Sequence, residues 1–306
     1  MNKIAPGYPI TPKPAGRAAN PLGWGVSSEK LQLKYLNSES RFLNIDGFRV
    51  HYRDEGTGPV LLCLHGIVSS LHTWDGWVEA LKSRYRIIRF DVPGWGMTTM
   101  DSFSFTRDDY MKFMKKFVDA LGIKKMHLAG NSLGGYLSWN FTLDYPKMVQ
   151  KLILLDPAGY PQTVPGAVNL FTMPVFRTLG TVITPKFLVL KYVREVYGQK
   201  KLLRKDVADR YFEILVYGRN RKNCVRIFDE LKEQARFEPS GVTRIKTPTL
   251  LMWGEKDIWI PLNIMERFKK DLPNARVIIY PGVGHVPMEE IPDSSARDAD
   301  LFIKER

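Results

Sequence analysis

Short apolar runs constrain the fold of this 306-residue chain more than any other feature of its sequence. Runs of four or five residues with few alternating polar positions are typical of strands that are buried on both faces of a parallel sheet. Helical segments separate several of these runs, and strands that alternate with helices indicate an α/β fold with a mostly parallel, doubly wound sheet. The predicted strands are residues 60–64, 87–90, 126–129, 152–155, 249–253 and 277–280.

Two local signals support this interpretation. Residues 106–121 carry apolar side chains every three or four positions; Thr106 and Asp109 are placed as in a capping box, and Gly122 follows as a C-terminal cap. Before the first buried run, the dipeptide Asp46-Gly47 separates two apolar stretches and predicts a β-hairpin. The second stretch alternates polar and apolar residues, so we expect His51 on the outer, exposed face of the hairpin.

The chain divides into three parts by composition. Residues 161–244 have helical periodicity but no buried strand, and we interpret them as an inserted helical cap. The core of the α/β domain is then 41–160 together with 245–306. Residues 1–40 form an arm for which we expect no regular structure, because it carries five prolines among glycine and alanine, namely Pro6, Pro9, Pro12, Pro14 and Pro21.

Composition limits the class of protein. A hydrophobic content of 44% is sufficient for a large core. The net charge of +13 is scattered and lacks the aromatic-interleaved pattern of nucleic-acid binders, so we expect no nucleic-acid partner. The cap carries a modest basic excess, which leaves weak contact with a membrane surface as an open expectation. Two cysteines and the lack of a signal segment predict a cytoplasmic protein, and the oligomeric state is not predicted.

The segment Gly130-Asn131-Ser132-Leu133-Gly134-Gly135 lies between a predicted strand and a predicted helix. A sharp turn from strand to helix forces its central residue into a strained conformation and leaves no room for side chains at the flanking positions. This arrangement is typical of a nucleophile elbow, in which the serine side chain is exposed at a helix N-terminus. We therefore expect Ser132 to be the nucleophile.

A serine hydroxyl needs a base within hydrogen-bond reach, and this base is usually histidine. His285 stands in a glycine-rich loop after the last apolar run, where it is free to approach the serine. The other histidines lie in the hairpin, in loops or inside a strand and are less suited to this role, namely His51, His65, His72 and His127.

The third member of such a triad is a carboxylate that orients the histidine. Asp257 follows the run 249–253 and precedes His285 by 28 residues, which gives the chain order Ser, Asp, His of this kind of fold. Asp156, after the preceding strand, is the alternative, although we expect it to shape the entrance to the cap. Glu255 and Asp91 are expected to have structural roles. The backbone N–H groups of Leu133 and Ile67 are the expected oxyanion hole.

These landmarks together resemble the alpha/beta-hydrolase superfamily from about residue 41 to the end. The agreement includes Leu64-His65-Gly66, residues 91–96, the elbow, residues 248–257 and Gly284-His285. The elbow is similar to that of bacterial carboxylesterases and lipase-like enzymes, and also to that of carbon–carbon hydrolases that act on ring-fission products. Ser132 argues against haloalkane dehalogenases and epoxide hydrolases, which have aspartate there. The carbon–carbon hydrolases usually have a glycine-rich stretch after their His-Gly pair, whereas Ile67, Val68, Ser69 and Ser70 occupy these positions here. This difference argues against a carbon–carbon hydrolase.

The resemblance implies hydrolysis of a small-molecule carboxylic ester through an acyl-enzyme, with short to medium acyl chains and with neither cofactor nor metal. A carbon–carbon hydrolase, a lipase acting on long chains and a non-catalytic small-molecule receptor remain alternatives. Apolar side chains of the cap and near the triad are expected to pack against the core, and some of them to contact substrate. The candidates for substrate contact are Trp74, Phe171, Phe176, Trp259 and Val286.

Overall fold

The computed structural model describes residues 27–163 and 165–305, and within these ranges one mixed sheet of nine strands forms the centre of the molecule. The strand order is β1-β2-β4-β3-β6-β7-β8-β9, and the short β5 pairs with β2. Pairing is parallel from β4 to β9 and antiparallel around β2, so the prediction of a mostly parallel sheet is confirmed. The strands are β1 (Ser40–Ile45), β2 (Phe48–Glu55), β3 (Val60–Leu64), β4 (Arg86–Phe90), β5 (Thr99–Met100), β6 (Met126–Asn131), β7 (Val149–Leu155), β8 (Thr249–Gly254) and β9 (Arg276–Tyr280).

Helices cover both faces of the sheet and form the segment between β7 and β8. Alternate residues of β3 point into two different apolar clusters, Leu62 and Leu64 into one and Leu61 and Cys63 into the other, which is the consequence of burial on both faces. The helices are α1 (Ser28–Tyr35), α2 (Asp75–Leu81), α3 (Arg107–Ala120), α4 (Leu133–Asp144), α5 (Gly166–Thr172), α6 (Pro174–Leu179), α7 (Lys186–Glu195), α8 (Lys205–Leu215), α9 (Asn220–Gln234), α10 (Leu262–Asp271), α11 (Pro287–Glu290) and α12 (Pro292–Lys304).

The hairpin of β1 and β2 turns at Asp46 and Gly47, which both have positive φ, 45° and 80°. The prediction of an exposed His51 on this hairpin is wrong, because β2 is an interior strand that lies between β1 and β4. His51 is fully buried, with its Nδ1 2.7 Å from Asp91 Oδ2 and its Nε2 3.2 Å from Ser40 Oγ. A strand with neighbours on both sides and covered faces has no outer face for a polar stripe.

The N-terminal segment is more regular than its composition suggests. Helix α1 begins after Ser27, whose Oγ accepts a hydrogen bond from the Lys30 N–H, so the last part of the predicted irregular arm is helical. Leu31 and Tyr35, four residues apart, pack on one face of α1 against Met97. The prolines on which the expectation rested lie outside the described residues.

The segment between β7 and β8 contains α5 to α9, and we call it the cap region after the sequence prediction. The elements β8, α10, β9, α11 and α12 complete the α/β layer after it. None of the helices in the described ranges has the length and apolar character needed to cross a lipid bilayer. The carboxyl ends of β6 to β9 open towards the cap region. Parallel strands place ligands and reacting groups outside their carboxyl ends, and the residues that follow these four strands form the candidate active site.

Candidate active site

Ser132 stands at the junction between β6 and α4 with φ 56° and ψ −118°, a conformation that side chains rarely adopt. Its backbone is held on both sides, because its N–H donates to the Leu155 carbonyl at 3.1 Å and its carbonyl accepts from the Ala158 N–H at 3.1 Å. A non-glycine residue held in this way stores about 1–3 kcal/mol of strain. The strain directs the side chain away from the sheet, as a nucleophile elbow requires.

Close approach explains the glycines that flank this serine. A Cβ added to Gly130 would lie 2.2 Å from the Gly134 carbonyl oxygen, and one added to Gly134 would lie 2.2 Å from the Leu64 carbonyl oxygen. Both contacts are with backbone, which has no room to move. Strand β6, helix α4 and strand β3 therefore pack closely enough to fix the position of Ser132 only where glycine occupies these two positions.

Two backbone N–H groups are placed where the sequence predicts an oxyanion hole. Leu133 is the first residue of α4, so its N–H has no acceptor within the helix. The Ile67 N–H, in the loop after β3, makes no hydrogen bond within the described ranges. Both residues line the same cavity as Ser132. Free N–H groups at a helix N-terminus stabilise negative charge that develops beside them.

His285 and Asp257 form a buried hydrogen-bonded pair. His285 Nδ1 lies 2.7 Å from Asp257 Oδ2, while Asp257 Oδ1 accepts from the N–H groups of Trp259 at 2.7 Å and Ile260 at 3.0 Å. The second ring nitrogen, Nε2, is thus free to act at the cavity, which His285 lines together with Ser132. Ser132 Oγ makes no hydrogen bond within the described ranges.

Residues that the sequence interpretation did not single out hold the histidine loop in place. The Asn131 amide donates to the His285 carbonyl at 2.9 Å and to the Leu155 carbonyl at 3.1 Å, which ties the elbow to the loop. On the other side, the His285 N–H donates to the Val196 carbonyl of the cap at 2.7 Å. Asn131, a polar residue next to Ser132 in the sequence, is a signal from which this contact with the histidine loop could have been predicted.

Asp156 is the second carboxylate at this edge of the sheet. It follows β7 with a positive φ of 43°, is fully buried, and accepts a hydrogen bond from the Gly254 N–H at 2.9 Å. One side-chain atom each of Asp156, Asp257 and His285 lies within 4.8 Å of the others. Burial and the neighbouring Asp257 carboxylate raise the pKa of Asp156 well above its ordinary value. It therefore lies beneath the candidate triad, whereas we expected it to shape the entrance to the cap.

Aspartate and histidine side chains grouped in this way are also metal ligands in other proteins. Here the 2.7 Å contact between His285 Nδ1 and Asp257 Oδ2 leaves no space for an ion between these two atoms. The other Asp257 oxygen already accepts two N–H groups. The arrangement is suited to orienting an imidazole rather than to coordinating a cation.

Two cavities meet at Ser132 and His285. The wider, of 280 Å³, has a partly polar wall that includes Arg107, Asn140 and Ser240. The narrower, of 60 Å³, is walled mainly by apolar side chains of the cap and of the loop after β3. Its apolar lining includes Ile67, Phe171, Val189, Val193, Phe228 and Val286.

The residues expected to contact substrate have different outcomes. Trp259 lines both cavities, and Phe171 and Val286 line the narrower one. Trp74 lines neither: it is fully buried against Trp77 at a ring distance of 4.9 Å, so the expectation for it is wrong. The Phe176 side chain lies outside what the structure describes.

The other histidines have structural surroundings in the described fold. His65 Nε2 accepts from the Val92 N–H at 2.9 Å, so this side chain organises the loops after β3 and β4. His72 Nε2 lies 3.1 Å from Arg53 Nη2. Burial, followed by the charges of Arg53 and Arg210, lowers the pKa of His72 to about 3, and the ring is neutral at physiological pH. Neither ring lines the two cavities that meet at Ser132.

Comparison with known proteins agrees with this geometry. The family model described as the alpha/beta hydrolase fold matches residues 59–292. A hydrolase of Bacillus subtilis, YugF, is 28% identical over 87% of this chain and 98% of its own length. A 2-hydroxy-6-oxononadienedioate/2-hydroxy-6-oxononatrienedioate hydrolase of Paraburkholderia phymatum is 30% identical over 80% of this chain and 89% of its own length.

Among solved structures, a bacterial membrane phospholipase A described as a virulence factor superimposes with a TM-score of 0.72. It is 25% identical in sequence, and the match covers 86% of this chain and 85% of that chain. The family match extends over more than half of the chain and includes the strands that position Ser132, Asp257 and His285. The chain is therefore a hydrolase of the alpha/beta-hydrolase family.

Proposed function

We propose that this hydrolase cleaves carboxylic esters through an acyl-enzyme formed on Ser132. The observation that carries the proposal is the combination of a strained serine at a helix N-terminus with a His285 ring that Asp257 holds at 2.7 Å. Both Ser132 and His285 open onto the same two cavities. This is the set of groups that acyl transfer requires, namely a nucleophile, an oriented base and backbone donors for the oxyanion.

In the proposed mechanism, Ser132 Oγ attacks the ester carbonyl carbon while His285 Nε2 takes the hydroxyl proton. The N–H groups of Leu133 and Ile67 stabilise the oxyanion of the tetrahedral intermediate. His285 then gives the proton to the leaving alkoxide, and the alcohol departs. Water attacks the acyl-enzyme with His285 again as the base, which releases the carboxylic acid and restores Ser132.

The two cavities suggest how the ester lies. The narrow cavity of 60 Å³ has an apolar wall suited to an acyl chain of a few carbon atoms, since one water needs roughly 10–15 Å³ of such space. The wider cavity of 280 Å³ carries hydroxyl, amide and charged groups suited to the alcohol part. The reaction centre lies where the two meet, so we assign the acyl chain to the narrow cavity and the alcohol to the wide one.

Carbon–carbon hydrolysis is the second candidate, because the Paraburkholderia phymatum relative acts on a dicarboxylate with a carbon chain, as its name states. Two carboxylates need cationic partners in the site. Among the described residues, the narrow cavity has no lysine or arginine in its lining, and Arg107 of the wide cavity is already bonded to Asp144 at 2.5 Å and to Asn140 at 3.0 Å. The charge distribution therefore favours a neutral ester over a dicarboxylate. The phospholipase A similarity points in the same direction, since phospholipases hydrolyse esters.

The test of the proposal is turnover of chromogenic p-nitrophenyl esters. Ser132→Ala is expected to lower kcat by roughly 10⁴- to 10⁶-fold, as removal of a triad nucleophile does. Ser138→Ala is the matched control: this buried serine lies one and a half turns further along α4 and donates only to the Gly134 carbonyl, and its loss is expected to change kcat by less than about 3-fold. Equal turnover by Ser132→Ala and the parent would exclude the mechanism.

A substrate panel separates the alternatives. Acetate to octanoate esters and a vinylogous 1,5-diketone are supplied to the purified protein, and kcat/KM is measured for each. Highest kcat/KM on short esters supports the proposal, and faster cleavage of the diketone supports carbon–carbon hydrolysis. No turnover of either class, with no labelling of Ser132 by a fluorophosphonate, supports a receptor role for this fold.

A further inference from the structure

Asp156 has an unusual environment for a carboxylic acid. Its side chain is completely buried, and its Oδ1 accepts the Gly254 N–H at 2.9 Å. Its Oδ2 is also inaccessible and has no hydrogen-bond donor among the described residues. The ionised form of a carboxylic acid is strongly disfavoured when one of its oxygens is shielded from solvent and receives no hydrogen bond. Protonation of Asp156 removes this penalty, because the group is then neutral. The protonated oxygen carries a hydrogen, which needs an acceptor instead of a donor.

The acceptor is available in Asp257. One oxygen of each carboxyl group and a ring nitrogen of His285 lie within 4.8 Å of one another, and burial followed by the charge of Asp257 raises the pKa of Asp156. The other titratable groups that act on Asp156 are Glu290 and Tyr280, and neither supplies a positive charge. Burial of two neighbouring carboxyl groups disfavours the state in which both are ionised, and it favours one proton held between them.

The hydrogen-bond partners decide which of the two keeps the charge. Asp257 has three donors, the N–H groups of Trp259 and Ile260 and the His285 ring, whereas Asp156 has only the Gly254 N–H. Hydrogen bonds to the charged form favour ionisation. The proton therefore resides on Asp156.

We propose that Asp156 is a positioning residue, held as a neutral acid, that donates a hydrogen bond to Asp257 and so fixes the carboxylate that orients His285. The inference rests on the proposed function, since it assigns a fourth member to the same relay. The bond has a chemical consequence as well as a geometric one. A donor on Asp257 spreads its negative charge, and it holds this carboxylate in the orientation in which it accepts from the His285 ring.

Asparagine and leucine at position 156 test this. Asp156→Asn retains the shape, an oxygen for the Gly254 N–H and a donor for Asp257, so kcat is expected to stay within about 3-fold of the parent. Asp156→Leu has similar volume but no donor, and kcat is expected to fall by about 10- to 100-fold with KM little changed, as for other supports of catalytic ligands.

The outcomes separate the inference from the proposed function. If the parent shows no ester turnover and no Ser132 labelling, the proposed function fails. If the parent is active but Asp156→Asn loses more than about 100-fold in kcat, Asp156 acts as an ionised acid and the inference is overturned. A folded Asp156→Leu variant that retains the kcat of the parent also overturns it. Where Asp156→Leu does not fold, as judged by circular dichroism, the asparagine variant decides alone.

A separate observation concerns the outer surface of the cap, which we define as the exposed apolar side chains of residues 173–187. Five large apolar residues on this stretch are about half or more exposed: Met173 52%, Val175 70%, Leu179 49%, Val182 54% and Phe187 75%. Singly exposed apolar residues are ordinary, but a cluster within fifteen residues indicates a surface that is covered by something.

Charge complementarity identifies the kind of partner. Residues 161–201 contain six lysines and arginines but only one acid, Glu195. Two of these cations are paired within the cap, Arg177 with Asp229 and Lys186 with Asp209. The remaining four are exposed and form no ion pair within the described ranges: Lys191, Arg194, Lys200 and Lys201. Apolar side chains bordered by unpaired cations match a bilayer surface with anionic headgroups.

Helix α7, which carries Phe187 of this surface, faces the reaction site on its other side. Val189 and Val193 of α7 line the narrow apolar cavity, while Phe187 and Lys191 are exposed to solvent. At Phe187, helix α7 thus lies between the outer surface of the cap and the cavity. We propose that the outer surface of the cap binds to anionic bilayers, which would place the narrow cavity beside apolar substrates dissolved in the membrane.

Vesicle sedimentation tests this proposal. The purified chain is expected to sediment with phosphatidylcholine vesicles that contain 30 mol% phosphatidylglycerol, and to remain in the supernatant with pure phosphatidylcholine or at 0.5 M NaCl, where the Debye length is well below 10 Å. The double variant Val175→Asp with Phe187→Asp is expected to lower the vesicle-bound fraction at least about 10-fold. Leu301→Asp is the control, because Leu301 is 50% exposed on α12, outside the cap.

Three results would overturn it. The first is a parent chain that stays in the supernatant with anionic vesicles, and the second is equal binding by the double variant. The third is a dimer of the parent in sedimentation velocity that the double variant abolishes, since a second copy of the chain would then be the partner of this surface.

Discussion

The edge of the sheet and the cap differ in how much freedom their residues have. At the edge, a Cβ on Gly130 or Gly134 would lie 2.2 Å from backbone, whereas Gly166 and Gly218 in the cap have nothing within 4 Å of such an atom. The edge buries Ser132, Asp257 and His285, while the cap leaves large apolar side chains in solvent. In the proposed function, the chemistry that requires fixed distances therefore lies in the closely packed region, and the cap determines which molecules reach it.

The two regions are joined at the loop that carries His285. Glu289 accepts from Arg210 at 2.5 Å and from the Tyr197 hydroxyl at 2.7 Å, and both of these partners belong to the cap. The next residue, Glu290, accepts from the N–H groups of Gly198 at 2.8 Å and Gln199 at 3.2 Å. The cap is therefore bonded directly to the loop that carries the candidate base. Substitutions at the edge, at this joint and in the cap test whether the two regions can be changed separately.

The largest effect is expected at the edge. Asp257→Asn keeps the size of the side chain but removes the charge that stabilises the His285 imidazolium, so kcat on a short-chain ester is expected to fall by about 10³- to 10⁴-fold. Glu255→Gln is the control, since this neighbour is exposed and its side chain bonds, among the described residues, to the Gly282 N–H and Lys256 alone. A decrease of less than 10-fold for Asp257→Asn would mean that the edge does not hold the catalytic acid there.

Substitution at the joint, which is formed by the bonds of Glu289 and Glu290 to the cap, is expected to give the next largest effect, and this effect is on stability. Glu289→Gln leaves the Arg210 guanidinium buried without its countercharge, and the free energy of unfolding is expected to fall by about 3–5 kcal/mol. Asp46→Asn breaks an ion pair with Lys116 whose two side chains are more than half exposed, and is expected to cost no more than about 1 kcal/mol. Urea denaturation with equal m-values measures both. Equal losses would mean that the joint is no stronger than a surface pair.

Acid should destabilise the rigid region through His72. Its pKa in the folded chain is about 3 because of burial and of Arg53 and Arg210, so below pH 6.5 the unfolded chain binds a proton that the folded chain does not. Stability is expected to fall as the pH decreases from 6.5, by about 2 kcal/mol down to pH 5. His72→Gln is expected to reduce this dependence by the contribution of His72, while His65 and His127, whose pKa burial also lowers, retain theirs. An unchanged slope in that variant would contradict the assignment.

The smallest effect is expected within the cap. In Val193→Phe the larger side chain fills part of the narrow cavity of 60 Å³. The ratio of kcat/KM for hexanoate to acetate esters is therefore expected to fall about 10-fold, while acetate turnover changes little. Val175→Phe is the matched control on the outer surface of the cap, where the side chain is 70% exposed. A loss of acetate turnover in Val193→Phe would show that the cap and the edge are not separable.

The sequence predicted the sheet well because hydrophobic periodicity is local. Each of the six apolar runs coincides with a strand, and Thr106 caps α3 as expected. The chain order of Ser132, Asp257 and His285 also follows from motifs at strand ends, which are read locally. The cap boundaries at 161 and 244 stay a prediction.

What sequence reasoning did not predict depends on neighbours that are distant in the chain. His51 is buried because β4 and β1 flank its strand, and alternation along β2 alone does not show this. Trp74 packs into the core against Trp77 rather than the cavity because the turn before α2 points inwards. The position of Asp156 under Asp257 follows from the parallel pairing of β7 and β8, which places the residues after these strands together.

Covalent labelling tests the role of Ser132 most directly. The parent chain is treated with a fluorophosphonate, and the adduct is measured by intact mass and located by peptide mapping. We expect one adduct per chain, on Ser132, that is absent in Ser132→Ala and retained in Ser138→Ala. Ester turnover by a chain whose adduct lies on another residue, or that forms no adduct, would contradict Ser132 as the nucleophile.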